Sequence, residues 1–223
     1  MKICVIIPVH NEALKIGQLI ETLKAKNFDV LVVDDGSYDS SGLIAKEKGA
    51  SVITHKKKSG KGLSLRDGFD YAIKQNYDGV ITIDGDGQHD VGDIDKFINK
   101  ARENQDCVIT GSRMENYRGM PFIRFLVNKI MSIMISFVCK QKIPDTQCGF
   151  RFIGTTVLKK VSLSSSDFEI ESEVLIKASK KGFRIYSVPI KTIYNNECSK
   201  INPFVDTIRF FVYLIRETWN SKS

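Results

Sequence analysis

Short β-branched apolar runs that break into acidic or polar turns recur through the first half of the chain, each followed by a helix-like segment. This recurrence restricts the fold more than any single residue does. Met1–Ile7 runs into Pro8-Val9-His10-Asn11-Glu12, Val30–Val33 into Asp34-Asp35-Gly36-Ser37, and Val80–Ile83 into Asp84-Gly85-Asp86-Gly87-Gln88-His89. Continuous apolar runs this short, bounded by turn residues, read as strands buried on both faces. Between them Ile16, Leu19, Ile20 and Leu23 fall on one helical face, with Asn11 placed as the cap. A second helix is predicted from Asp39 or Ser40 to near Gly49, then a strand at Ser51–Thr54, then a helix carrying Leu65, Phe69, Ala72 and Ile73. Strand and helix in alternation predict an α/β protein with a parallel sheet and right-handed crossovers, which puts the strand ends on one rim. Ligands of such sheets bind at that rim.

The rim residues are chemically specific. Asp84 and Asp86 project from a strand end with glycines between and after them, a pattern suited to a hard divalent cation shared with substrate phosphates. By itself the pair is equally consistent with a solvated Asp-Gly turn. His55-Lys56-Lys57-Lys58-Ser59-Gly60-Lys61-Gly62 is a basic loop at a helix start, a natural anion site. It is not a P-loop, because Gly60-Lys61 is followed by glycine. A strand over Asp106–Thr110 ends at Gly111-Ser112-Arg113, where an arginine can meet a phosphate or pair with a carboxylate.

Beyond this point the rhythm breaks. Pro121–Cys139 is predicted as a long apolar, Met-rich helix that is either core or rests on a bilayer. Interrupted by Arg124, Asn128 and Lys129, it is expected to fall short of a spanning helix. A polar loop, 142–151, leads into a strand at Phe150–Ile153. Phe168 then opens a helix ending at Gly182, whose Glu169 and Glu171 are explained by the helix dipole alone. Strands are predicted at Arg184–Val188 and Ile190–Tyr194, and a last amphipathic helix from Pro203 to Trp219.

Composition narrows the partners. A chain of 223 residues fits one large α/β domain, and a net charge of +7 implies an anionic partner. Nucleic acid is not expected, since the aromatics are not interleaved with the basic residues and no DNA-binding motif is present. Five scattered cysteines without a C-x-x-C pair indicate neither a disulfide framework nor a zinc site. Met1–Ile7 reads as a strand rather than a signal peptide, so a cytoplasmic protein is expected, with peripheral contact to the cytoplasmic face of a membrane left open.

The ordered set, from Pro8-Val9-His10-Asn11-Glu12 through Asp34-Asp35-Gly36-Ser37, Gly60-Lys61-Gly62, Asp84-Gly85-Asp86-Gly87-Gln88-His89 and Gly111-Ser112-Arg113 to Asp145-Thr146-Gln147-Cys148-Gly149-Phe150, resembles the family 2 glycosyltransferases. It is most similar to their polyprenyl- and dolichyl-phosphate sugar synthase branch, and the resemblance runs from Lys2 to about Trp219. It implies a GT-A fold: a single α/β domain over 1–202 with a mixed, mostly parallel sheet flanked by helices. The helix at 203–223 would pack on that domain or lie at the membrane surface. A UDP- or GDP-sugar donor, an inverting transfer and Mg²⁺ or Mn²⁺ are also implied. Pro8, Val9, His10 and Glu12 match the first nucleotide-contacting loop, and Asp34 with Asp35 the acidic pair for base and ribose. Asp84 and Asp86 match the D-x-D pair on metal and diphosphate, and Gln88 a third metal ligand. Gly85 and Lys61 complete the donor-binding set. Arg113 and Arg124 match arginines for the acceptor phosphate, and Ser199 with Lys200 a late loop over the donor. Asn195-Asn196-Glu197-Cys198 stands before that pair where the synthases often have an arginine.

The chemistry implied is attack on an anomeric carbon with loss of a nucleoside diphosphate, with Asp34, Asp84 and Asp86 expected around one cation. A lipid-phosphate acceptor needs no base, whereas a glycan or other hydroxyl acceptor calls for a carboxylate, Asp145 or Glu173. Other readings are a sugar nucleotidyltransferase, which wants a glycine-rich loop after the first strand, and a non-catalytic nucleotide- or membrane-binding module. A membrane-protein partner also stands as an expectation.

Overall fold

A computed structural model describes residues 1–115 and 120–193. Its strands are β1 (Ile3–Val9), β2 (Asp29–Asp34), β3 (Ser51–Thr54), β4 (Gly79–Thr82), β5 (Cys107–Ser112), β6 (Arg151–Gly154) and β7 (Arg184–Pro189). They form one sheet in the order β3-β2-β1-β4-β6-β5-β7. The first four pair in parallel, as the recurrence predicts. β6 then runs antiparallel between β4 and β5, and β7 returns parallel to β5.

Seven helices cover the sheet among the described residues: α1 (Ala13–Ala25), α2 (Ser41–Glu47), α3 (Lys61–Lys74), α4 (Ile94–Glu103), α5 (Phe122–Cys139), α6 (Thr155–Lys160) and α7 (Ile170–Lys180). The period of two along the strands sorts them into two layers. Cys4, Ile6, Leu31 and Val33 face the layer of α3, α5, α6 and α7. Val5, Ile7, Val30 and Val32 face that of α1, α2 and α4. Burying each such Ile, Leu or Val contributes about 1.5–3 kcal/mol, so both layers hold the sheet.

Several local expectations are corrected. Asn11 does not cap α1; it takes a left-handed φ of 58°, and its Oδ1 accepts from the Tyr38 amide at 2.8 Å. The first amides of α1 are satisfied across space instead, Glu12 by Ser41 Oγ at 2.8 Å and Ala13 by Asp39 Oδ2 at 3.1 Å. α6 was not expected, and α7 begins at Ile170 rather than Phe168. Ile190–Tyr194 does not form a strand over its described residues: Thr192 makes one isolated bridge to His89. α5 is also more apolar than the sequence reading allowed, since its 18 residues, at mean hydropathy 1.7, meet the length and composition of a bilayer-crossing helix. One of its faces is nevertheless docked on the protein through Asn128, Met131, Ser132, Ile135 and Cys139. The predicted helix from Pro203, with Ser199 and Lys200, lies outside the described residues.

Candidate active site

β1 has β2 on one side and β4 on the other, so chain order reverses at β1, and the carboxyl ends of β1 and β4 form the topological switch point at which ligands of such sheets bind. Pro8, Val9, His10 and Glu12 leave the first strand here, and Asp84, Gly85, Asp86 and Gln88 the second. The two loops interlock at Gly85, where a Cβ would lie 2.8 Å from Val9 Cγ1 and 3.6 Å from Glu12 Cγ. Lys15 Nζ donates to the Asp86 carbonyl at 2.8 Å, and Asp86 Oδ1 accepts from the Gln88 amide at 2.9 Å. The loop is thus held through its backbone. The Ile193 amide donates to the Gln88 carbonyl at 2.9 Å from the far side.

Asp84 sits in a charge network that joins remote parts of the chain. Lys61 Nζ lies 2.6 Å from Asp84 Oδ1 and 2.6 Å from Glu171 Oε1. Buried Arg151 donates to the Cys148 carbonyl at 2.7 Å, the Thr146 carbonyl at 2.8 Å and the Glu171 carbonyl. Burial works against the Asp84 charge, but the Lys61 ammonium and the His89 imidazole, 3.6 Å away, outweigh it and hold the carboxyl far below the usual range. Burial likewise works against the Lys61 ammonium, and Asp84 with Glu171 reverses that shift upward.

The antiparallel β6 explains how the 145–150 loop reaches this place. Its first residue, Arg151, pairs with Thr82 at the end of β4, so the loop before it is laid across the rim. Thr82 Oγ1 donates to the Gly149 carbonyl at 2.7 Å, and a Cβ on Gly149 would lie 2.6 Å from Asp84 Oδ2. Only a glycine lets the backbone pass so close to that carboxylate. The loop is tied in turn to α5, because the Thr146 amide donates to Ser132 Oγ at 3.0 Å.

Several expected roles change with this geometry. Asp34 does not join Asp84 and Asp86 around a cation: its Oδ1 accepts from the Ser37 amide at 3.0 Å, and its Oδ2 is turned toward α2, where a Cβ on Gly42 would lie 2.5 Å away. The amides at the start of α3 do not form an open anion site. Those of Ser59 and Gly60 bind the Asp35 carboxylate at 2.7 and 2.8 Å, and that of Leu63 binds the Ser166 carbonyl. Lys61 faces Asp84 and Glu171, which makes it a neighbour of the D-x-D pair rather than part of an open phosphate loop.

Arg113 is 6% exposed and grips Asp145 with two parallel hydrogen bonds, Nε to Oδ2 at 2.7 Å and a terminal nitrogen to Oδ1 at 2.9 Å. The amides of Arg113 and Gln147 complete the four bonds Asp145 can accept. A base role for Asp145 is therefore corrected: no lone pair is left to take a proton. Glu173 is corrected on other grounds: it is fully buried and its carboxylate is engaged by Ser164, Ser165 and Lys177, away from any acceptor. Arg124 lies half-buried in the first turn of α5.

Sequence reasoning missed Glu171, Arg151 and Lys15. No local signal marks Glu171 and Lys15, whose partners Lys61 and Asp86 lie 110 and 71 residues away, and Arg151 acts by tying the 145–150 loop to Glu171. Among the described residues no three His, Cys, Asp or Glu side chains gather into a metal cluster. An Mg²⁺ or Mn²⁺ ion still fits the Asp84–Asp86 loop. The pair offers hard oxygen donors, Asp84 already faces a cation at 2.6 Å in the form of the Lys61 ammonium, and an ion shared with phosphates needs only one or two carboxylates.

Residues 4–162 match the family described as Glycosyl transferase family 2. The chain is 31% identical to the UDP-N-acetylglucosamine–dolichyl-phosphate N-acetylglucosaminyltransferase of Methanococcus voltae, over 86% of this chain and 86% of the relative. It is 28% identical to the polyprenol monophosphomannose synthase of Mycolicibacterium smegmatis, over 83% of this chain and 75% of the relative. Among solved structures, glucosyl-3-phosphoglycerate synthase from Mycobacterium tuberculosis, in complex with Mn²⁺, UDP and glucosyl-3-phosphoglycerate, superposes with a TM-score of 0.70 at 17% identity, over 88% of this chain and 73% of that one. The sheet order, the acidic rim at the ends of β1 and β4 and the match over most of the chain agree: this protein is a member of glycosyl transferase family 2, with the GT-A fold.

Proposed function

We propose that the protein transfers a sugar from a nucleoside-diphosphate donor to the phosphate of a polyprenyl lipid at a membrane surface. The choice of acceptor rests on one observation: the two carboxylates expected from the sequence to serve a hydroxyl acceptor as base, Asp145 and Glu173, are fully buried and committed to hydrogen bonds within the frame. A hydroxyl nucleophile needs a base within reach, whereas a phosphate oxygen is already anionic near neutral pH and needs only positioning. The named relatives that act on dolichyl and polyprenol phosphates support the same acceptor.

In this reading the nucleoside lies over Pro8–Glu12 and the 34–37 turn, with the diphosphate over the mouth between β1 and β4. Asp84 and Asp86, with Gln88, would hold Mg²⁺ or Mn²⁺, which when bound neutralises charge on the departing diphosphate. Lys61 sets the direction of the Asp84 carboxylate, and Gly149 closes the loop against it. An oxygen of the acceptor phosphate forms a bond to the anomeric carbon on the face opposite the leaving group. The bond to the donor diphosphate breaks with its electron pair, and the configuration inverts.

α5 suits the lipid side. Phe122, Leu126, Ile130, Ile133 and Phe137 recur at helical spacing on the face opposite the docked one, and Ile133 and Phe137 are 61% and 85% exposed. Such a stripe lies in the headgroup boundary, and Ser132 of the same helix holds the loop that touches Asp84. Replacing both Ile133 and Phe137 with glutamate is expected to cut co-sedimentation with anionic vesicles about tenfold or more while leaving the melting temperature in buffer unchanged. Unaltered sedimentation removes α5 from the membrane contact.

Arg124, in the first turn of this helix, is assigned to the acceptor phosphate. Arg124→Ala is expected to raise KM for the lipid phosphate about tenfold and to leave nucleotide affinity intact. Equal loss of both makes Arg124 structural. The direct test of the function is transfer of radiolabelled sugar from UDP- and GDP-sugars to polyprenyl phosphate in detergent. Label appearing only on glycan hydroxyls overturns the reading. A thermal-shift panel of the same nucleotides identifies the donor base, because a ligand of the folded state raises its melting temperature.

A further inference from the structure

Both ring nitrogens of His55 meet carboxylates: Nδ1 lies 2.8 Å from Asp35 Oδ1 and Nε2 lies 2.9 Å from Asp67 Oδ2. Ionised carboxylates only accept hydrogen bonds, so each nitrogen must carry a hydrogen, and a ring with both is imidazolium. A neutral ring satisfies one carboxylate and turns a lone pair on the other.

The position matters because Asp35 organises the nucleoside side of the rim. Its Oδ1 also accepts from the Ser59 amide and its Oδ2 from the Gly60 amide, at 2.7 and 2.8 Å. Its carbonyl accepts from His10 Nδ1 at 2.9 Å, and its amide donates to the Val9 carbonyl at 2.8 Å. Beside it Gly36, at φ +64°, has the backbone of Lys57 so close that a Cβ would lie 2.6 Å from the Lys57 carbonyl carbon. The loop 55–60 is therefore pressed against the 34–37 turn, and His55 fastens Asp35 to α3 through Asp67. Asp35 from the end of β2 and Asp67 from α3 are the titratable groups that face the ring. The Asp34 carboxylate is turned to Ser37, and Lys56, Lys57 and Lys58 are exposed on the loop itself.

We propose that His55, as imidazolium, is a positioning residue of the donor site: it clamps Asp35 and the 55–60 loop for the nucleoside diphosphate, and donor affinity falls when the ring loses its second proton. This rests on the reading of the β1–β2 rim as the nucleoside site. Burial disfavours the charged ring, but the bonds and charges of Asp35 and Asp67 outweigh it and raise the pKa above the ordinary 6.5. The sign follows from that direction. The clamp contributes in full below the ordinary value and is lost as pH rises through the raised one.

The test is calorimetry of UDP and of GDP, each with Mg²⁺, from about pH 6 to about pH 9 across the histidine range, on the full chain, His55→Gln and Asp67→Asn, with histidine-resolved NMR alongside. Wild type is expected to lose about tenfold in affinity as His55 titrates, one pKa unit of coupling. His55→Gln is expected to lack that step and to hold the weaker affinity throughout. Asp67→Asn, which leaves Asp35 and its bonds untouched, is expected to move the step to lower pH. A His55 resonance that titrates at or below the ordinary value, or the same pH slope with and without His55, overturns the proposal while nucleotide binding itself stands. No binding of either nucleotide at any pH removes the donor-site reading, and the proposal with it.

Discussion

Asp86→Ala is expected to cut sugar transfer about a hundredfold or more and to remove divalent-dependent binding of the nucleoside diphosphate, while the folded domain survives. Its carboxylate makes a local bond to the Gln88 amide, whereas the loop is held by other means, Lys15 on the Asp86 carbonyl and Gly85 against Val9. Half-buried, with its carboxylate bonded only to a local amide, Asp86 is expected to change stability by less than about 1 kcal/mol when truncated. The catalytic loss is of another size. Removing a group that stabilises charge on a leaving diphosphate costs about 10²–10³ in rate by analogy with other charge-stabilising donors. Calorimetry with UDP and GDP, with and without Mn²⁺, reads the binding loss separately from turnover. Nucleotide affinity that keeps its metal dependence in Asp86→Ala excludes this carboxylate as a ligand.

The largest stability effect is expected at Arg113. Arg113→Met leaves the Asp145 carboxylate, 0% exposed, without its counter-charge, and breaking such a buried pair from one side costs about 3–5 kcal/mol. Asp145→Asn in the same chain removes the stranded charge, so the double variant is expected to be more stable than Arg113→Met alone. Burial raises the Asp145 pKa, but Arg113 overcomes this and holds it below the ordinary 3.8. The pair therefore contributes in full above that value, and its contribution is lost as pH falls through the depressed one. Urea unfolding of the three chains at neutral and acid pH measures both statements. If Arg113→Met unfolds like wild type and loses only acceptor binding, the arginine belongs to the acceptor site and not to the frame.

Asp86 and the Arg113–Asp145 pair show where sequence reasoning reached and where it stopped. The alternation of buried strands and helices up to Ile83 was legible, because a period of two in strands and 3.6 in helices is written in neighbouring residues. So was the rim, since parallel crossovers leave little choice about where strand ends lie. The family resemblance carried the same ordered motifs, and the match over residues 4–162 agrees with it.

The partners of those motifs were not legible. Lys61 meets Glu171 across 110 residues, and Glu171 by its sequence context was sufficiently explained by a helix dipole. Asp34 and Asp35 are adjacent, yet one turns into α2 and the other holds the 55–60 loop. The amino-acid order by itself determined the strands and helices up to Ile83 and the acidic rim, because hydrophobic period and turn chemistry act over a few residues. Only the tertiary structure decided which charges meet there. The antiparallel insertion of β6 between β4 and β5 sets what lies beside Asp84, and that choice is made by long-range packing of the sheet rather than by any local preference.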